Sequence, residues 1–248
     1  MTITMVAVNA RLAQEGKMAT MKANHRRTDA RPAAVSMVIA MTLGLLAVVL
    51  TWGPGIGRAY AAEASPAGDV LSIGDPAAPG QIDLYLDPLC PYSGKMVREQ
   101  GAEIGRRIED GKLHINLRLV NFLEKYSASG TYDSRAIYAA FIVADHSRSS
   151  EVTWQFIEQI FSAEQQPKEE GPTDLSNDQL AGLADRAGAP PSAQDLIKLG
   201  LPIPFDGHAI AAGTLPLLRQ LPDSGVPMVV VDGESVDGNS DWLDRLPA

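Results

Sequence analysis

Gln81-Ile-Asp-Leu-Tyr-Leu-Asp-Pro-Leu-Cys-Pro-Tyr-Ser93 is the stretch that decides the fold. It follows Gly74-Asp-Pro-Ala-Ala-Pro-Gly80, which is turn chemistry, so the apolar run Gln81–Leu86 reads as a buried strand. The strand stops at Asp87-Pro88. Pro91 suits the first position of a helix, where a missing N–H costs nothing. Val97, Gly101, Ile104 and Ile108 then recur at helical spacing, while Lys95, Arg98, Glu99, Glu103, Arg106 and Arg107 fill the other face. This predicts an amphipathic helix over 91–109, closed by Gly111. Cys90 therefore stands where a strand hands the chain to a helix.

Outward from this unit, Asp69–Ile73 reads as an earlier strand, and Leu113, Ile115, Leu117 and Leu119 alternate with polar residues as in a strand with one buried face. A helical block follows. Ile137, Phe141 and Ala144 stripe Arg135–His146, and Trp154, Ile157 and Phe161 stripe Glu151–Gln165, with Phe156 and Ile160 widening the stripe. Ser176 and Gln179 form a capping box flanked by Leu175 and Leu180, which starts a third helix ending near Gly188. A fourth helix, Ser192–Leu199, precedes the Pro-broken loop Leu201–Phe205. A helix over Gly207–Leu221, interrupted by Pro216, then leads to the apolar strand Val226–Val231 and the turn Asp232-Gly233. Asp241–Leu246 is expected to close the chain as a short helix. The fold class is α/β.

The chain has 248 residues and a single cysteine, so it can form neither an internal disulfide nor a cysteine-based zinc cluster. Cys90 is either filler or a reactive group. Its place at a helix N-terminus, where unpaired N–H groups and the helix dipole favour an anion, predicts a lowered thiol pKa. His25, His114, His146 and His208 lack metal spacing, and no Gly-x-Ser-x-Gly elbow occurs, so neither a metal nor a bound cofactor is expected. Residues 1–60 hold seven Lys/Arg and two acids, which leaves 14 basic and 28 acidic residues beyond them, a net charge near −14. Such a surface repels a phosphate backbone, so nucleic acid is excluded as a partner.

Asp87-Pro-Leu-Cys-Pro-Tyr-Ser93 resembles the active-site turn of DsbA-like thiol–disulfide oxidoreductases, and Gly225-Val-Pro-Met228 resembles their cis-proline loop. The resemblance covers roughly residues 69–238. It implies a thioredoxin-like fold with a helical subdomain inserted at about 133–205. It further implies that Pro227 is cis and faces Cys90, and that the backbone of Val226 pairs with an incoming substrate strand. Pro91 and Tyr92 join Val226 and Pro227 as the expected substrate-binding residues. Two positions depart from the pattern. The resolving cysteine is replaced by Ser93, which excludes a self-contained dithiol cycle but leaves a hydroxyl able to hydrogen-bond the Cys90 sulfur. The acid usually found six residues before the cysteine is Leu84, with Asp83 on the opposite strand face, so a buried base is expected to be missing. Asp87 either matches an acid common in these relatives or is simply a turn residue. A cysteine-peroxidase reading fails because those enzymes carry Thr or Ser at the position of Asp87.

Residues 1–31 form a basic N-terminal segment expected in the cytoplasm. Residues 32–52 are uncharged beyond Pro32 and long enough to cross a hydrocarbon layer of ~30 Å as a helix. Basic residues precede this run, so the positive-inside bias places the domain over 69–248 outside the cytoplasm, tethered by a Gly/Ala/Pro-rich linker over 53–68. The competing reading is a signal segment cleaved after Ala61, since Ala59-Tyr-Ala61 is a small-x-small site. Both readings export the domain. The function expected is monothiol exchange through Cys90 and Ser93 on exported protein thiols or disulfides, or on a low-molecular-weight thiol. The alternative is a redox-inactive binding or assembly module.

Overall fold

The computed structural model describes residues 63–247. Its strands are β1 (Ala64–Ala67), β2 (Val70–Ile73), β3 (Gly80–Leu86), β4 (Leu113–Leu119), β5 (Met228–Val231) and β6 (Glu234–Asp237). Its helices are α1 (Pro91–Glu109), α2 (Tyr132–Ser147), α3 (Ser150–Ile160), α4 (Asn177–Arg186), α5 (Pro191–Leu199) and α6 (Gly207–Leu218). Single 3₁₀ turns occupy Glu124–Tyr126 and Trp242–Arg245. The membrane or signal segment at 32–52 and the cleavage site at Ala61 lie outside the described residues. Among those described, no helix is long and apolar enough to cross a membrane. Ala64–Ala67, expected as the end of the linker, instead pairs with β2 as the edge strand β1.

The sheet runs β1-β2-β4-β3-β5-β6. β3 and β4 are parallel, with α1 as their crossover, and every other pairing is antiparallel. β3 is thus central, with Leu84 opposite Leu117 on one side and Val229 on the other. Ile82, Leu84 and Leu86 enter the main core with Phe141, Trp154 and Phe156 of the helical layer. Tyr85 packs on the other face with Val120, Leu218 and Met228. Burial on both faces toward its C-terminal end accounts for the unbroken apolar stretch Leu84-Tyr-Leu86, while Gln81 and Asp83 nearer its start remain exposed or half-buried.

α2 to α5 form the insertion between β4 and α6. The capping box of α4 is complete: Gln179 N–H donates to Ser176 Oγ at 3.2 Å, and Ser176 N–H donates to Gln179 Oε1 at 2.8 Å. Three helix limits differ from the sequence reading, one of them the end of α6, which stops at Leu218 rather than Leu221. α2 starts at Tyr132 rather than Arg135, which brings Asp133 into its first turn, and α3 ends at Ile160 rather than Gln165. The segment freed after α3 turns back toward α1: the Arg98 guanidinium donates to the Phe161 carbonyl at 2.8 Å and to Gln166 Oε1 at 3.0 Å.

Candidate functional site

Cys90 is the N-cap of α1, with extended backbone angles, and Pro91 is the first helical residue. Asp87 shapes the turn that presents it. Its backbone carbonyl accepts from the Cys90 N–H at 3.0 Å, and its carboxyl oxygens accept from the N–H groups of Leu89 at 3.0 Å and Leu123 at 3.1 Å. The Gln166 carboxamide clamps the turn from outside, donating to the carbonyls of Pro88 at 3.1 Å and Cys90 at 2.9 Å. Gly94 leaves the space this carboxamide fills, since a Cβ there would collide with it.

The second half of the site is the loop before β5. The Val226–Pro227 peptide bond is cis, as is Ile203–Pro204. The Cys90 thiol donates to the Val226 carbonyl at 3.6 Å, so the two segments, far apart in sequence, are in contact. Gly238 backs the loop. Its N–H donates to the Pro227 carbonyl at 3.0 Å, and a Cβ at this position would lie 2.7 Å from Pro227 Cβ. The Gly238 carbonyl in turn accepts from Gln100 Nε2 at 2.9 Å and from Trp242 Nε1 at 3.1 Å. A cleft of about 380 Å³ opens beside this loop, lined by Tyr92, Val226, Pro227 and Met228 and carrying the carboxylates of Asp223 and Asp237. Tyr92 is 66% exposed. Cys90 itself does not line the cleft.

Ser93 is fully buried. Its Oγ accepts from the Asp87 N–H at 3.4 Å, and its hydroxyl and N–H both favour the thiolate form of Cys90. They do not prevail. Cys90 is only 5% exposed, and its burial pushes the thiol above the usual cysteine range, outweighing the N–H groups of Ser93 and Tyr92, while Asp87 pushes it further up. The lowered pKa expected from the helix N-terminus is therefore corrected: desolvation of the sulfur exceeds the stabilisation that the helix end supplies.

Leu84 is fully buried, and Asp83 lies on the other face, paired with Arg118 at 3.3 Å. The strand thus lacks a buried acid at that position. Buried acids are nonetheless present nearby: Asp87 and Asp133 are both 0% exposed. Burial raises both carboxyls far above the usual carboxylate range, Asp87 to about 7 and Asp133 to about 10. Gln166, Asp133 and Gly238 were not legible as site residues. Gln166 lies in an irregular segment reached only through the tertiary fold, and Asp133 precedes the apolar stripe that marks its helix.

Comparisons with known proteins agree with this geometry. The sequence profile of the thioredoxin family, described as "Thioredoxin", matches residues 67–245. Serine/threonine-protein kinase PknE of Mycobacterium tuberculosis is 32% identical over 190 residues, covering 76% of this chain but only 33% of the kinase. The chain thus corresponds to about a third of that relative's length. Among solved structures, MdbA, a thiol-disulfide oxidoreductase from Corynebacterium matruchotii, aligns with a TM-score of 0.62 and 25% identity, over 75% of this chain and 92% of that one. The reduced disulfide bond oxidoreductase DsbG of Mycobacterium tuberculosis aligns with a TM-score of 0.58 and 25% identity, over 69% and 82%.

Proposed function

We propose, from the premise that this chain belongs to the DsbA-like thioredoxin-fold family of thiol–disulfide oxidoreductases, that it carries out single-cysteine thiol–disulfide exchange outside the cytoplasm. The observation that carries the reading is the 3.6 Å contact between the Cys90 sulfur and the Val226 carbonyl beside the Tyr92 cleft. A polypeptide lying along Val226 and Pro227, with its own sulfur presented to Cys90, is the substrate this arrangement suits.

The exchange balances without a cofactor. The Cys90 thiol loses its proton, and the thiolate bonds to one sulfur of a substrate disulfide as the substrate S–S bond breaks. The second substrate sulfur leaves as a thiolate and takes up a proton. With no other cysteine in the chain, an outside thiol must attack the mixed disulfide to restore Cys90. A raised pKa leaves little thiolate at neutral pH but makes that fraction intrinsically more nucleophilic. Ser93 is assigned as donor to the sulfur, and Pro91, Tyr92, Val226 and Pro227 as the substrate-facing residues. Incubating the reduced full-length protein with a cysteine-containing peptide disulfide, followed by acid trapping and mass spectrometry, is expected to show a Cys90–peptide adduct that Cys90→Ala lacks. Absence of any adduct over pH 6 to 10 would remove the reading.

The burial of Cys90 favours a second reading, a binding module that uses the same cleft without chemistry. If Cys90→Ala retains every partner recovered by the parent and no mixed disulfide is trapped, the binding reading replaces the first.

A further inference from the structure

We infer that Asp87 and Asp133 share one proton beneath the Cys90 turn, and that this carboxyl pair is the buried acid–base group to which the Cys90 thiol is coupled. The inference rests on the exchange reading only for its second half.

Geometry carries it. Both carboxyls are entirely shielded from solvent. Asp87 has two backbone N–H donors, from Leu89 and Leu123. Neither oxygen of Asp133 has a hydrogen-bond partner, and the Leu89 N–H that also stabilises its charge donates at 3.0 Å to Asp87 instead. A buried carboxylate with no donor is among the costliest groups a fold can contain, and it avoids that cost by keeping its proton. A protonated Asp133 becomes a donor, and the carboxyl it faces is Asp87. The pair thus resolves into Asp133 holding the proton and Asp87 accepting it along with the two N–H groups.

The surroundings offer little other compensation. Glu124, in the 3₁₀ turn, adds negative potential while its own oxygens accept from Ser134 N–H and Asn121 Nδ2. Tyr132, on α2, is fully buried with an unpartnered hydroxyl. Arg135, a turn further on, is committed to Asp174 at 2.8 Å. Cys90 is the remaining titratable neighbour, and the charge on Asp87 opposes its ionisation. Coupling is reciprocal, so ionising the thiol raises the proton affinity of the pair in turn. As Cys90 loses its proton the pair gains proton occupancy, and it releases that proton as the leaving sulfur is protonated.

Aspartate-labelled full-length protein, followed by carboxyl-carbon NMR from pH 4 to 11, tests the pair directly. Two carboxyls are expected to titrate above all others, one near neutrality and one well into the alkaline range. In Asp133→Asn only one remains, moved to lower pH by the amide donor. Titration of both groups below pH 5 in the parent would overturn the inference without any need for the variant to fold. The coupling is read from the pH profile of Cys90 alkylation: besides the inflection of the thiol itself, a second one set by ionisation of the carboxyl pair is expected in the parent and is displaced in Asp133→Asn. An unmoved profile overturns the coupling. Failure of peptide exchange with the NMR result intact would instead count against the functional reading alone.

Discussion

At the scale of single residues, burial favours the protonated form of both the Cys90 sulfur and the Asp87 and Asp133 carboxyls. Burial outweighs the donors around Cys90, so its alkylation rate is expected to keep rising with pH past the ordinary cysteine value of about 8.5. Removing the hydroxyl in Ser93→Ala deletes a donor to the thiolate. The rate at a fixed pH below the pKa is then expected to fall roughly threefold to tenfold, the scale of the net contribution of one ordinary hydrogen bond, about 0.5–1.5 kcal/mol. The carboxyl pair predicts an unusual pH dependence of stability. Asp87 and Asp133 hold protons in the folded state that the unfolded chain has already released above pH ~4. Unfolding therefore releases protons, and stability falls as pH rises from that value through neutrality and on into the alkaline range, by up to about 1.4 kcal/mol per proton and per pH unit. Urea melts of the parent and Asp133→Asn should show a shallower decline in the variant. A decline of equal slope in both would count against the protonation state assigned here.

At the scale of elements, legibility followed the range of the interaction that fixes each one. The strand-turn-helix around Cys90, β4, and the capping box of α4 are set by neighbours a few residues away, and all were readable. The edge strands β1 and β6 were not, because Ala64–Ala67 and Glu234–Asp237 carry no alternating apolar pattern and exist only through pairing with β2 and β5. The same contrast divides the site. Cys90, Ser93 and Pro227 were marked by a local motif, whereas Gln166 reaches the turn only after α3 ends early. Two substitutions probe the element scale. Ser176→Ala removes the cap of α4 and should cost about 1 kcal/mol in denaturant melts while leaving Cys90 alkylation unchanged. Gly238→Ala drives a methyl into Pro227, so it should change Cys90 reactivity and peptide binding together. Identical alkylation kinetics in that variant would show the loop to be more yielding than its packing indicates.

At the scale of the whole molecule, we propose a basic segment left in the cytoplasm, a span or signal over 32–52 and an acidic domain outside, all resting on the sequence alone. The fold of that domain is the thioredoxin fold with a helical insertion. Anchoring is decided by alkaline extraction of membranes from cells making the full chain: retention in the pellet is expected for an uncleaved span, and release for a segment removed after Ala61. The segment after α3 is tied to the Cys90 turn where the Gln166 carboxamide holds the carbonyls of Pro88 and Cys90. Any ligand that shifts the segment following α3 must either snap those two bonds or drag the nucleophile's mainchain along with it. A mechanical lever of this kind lets an event on the helical layer be felt at the sulfur without a single new contact at the cleft.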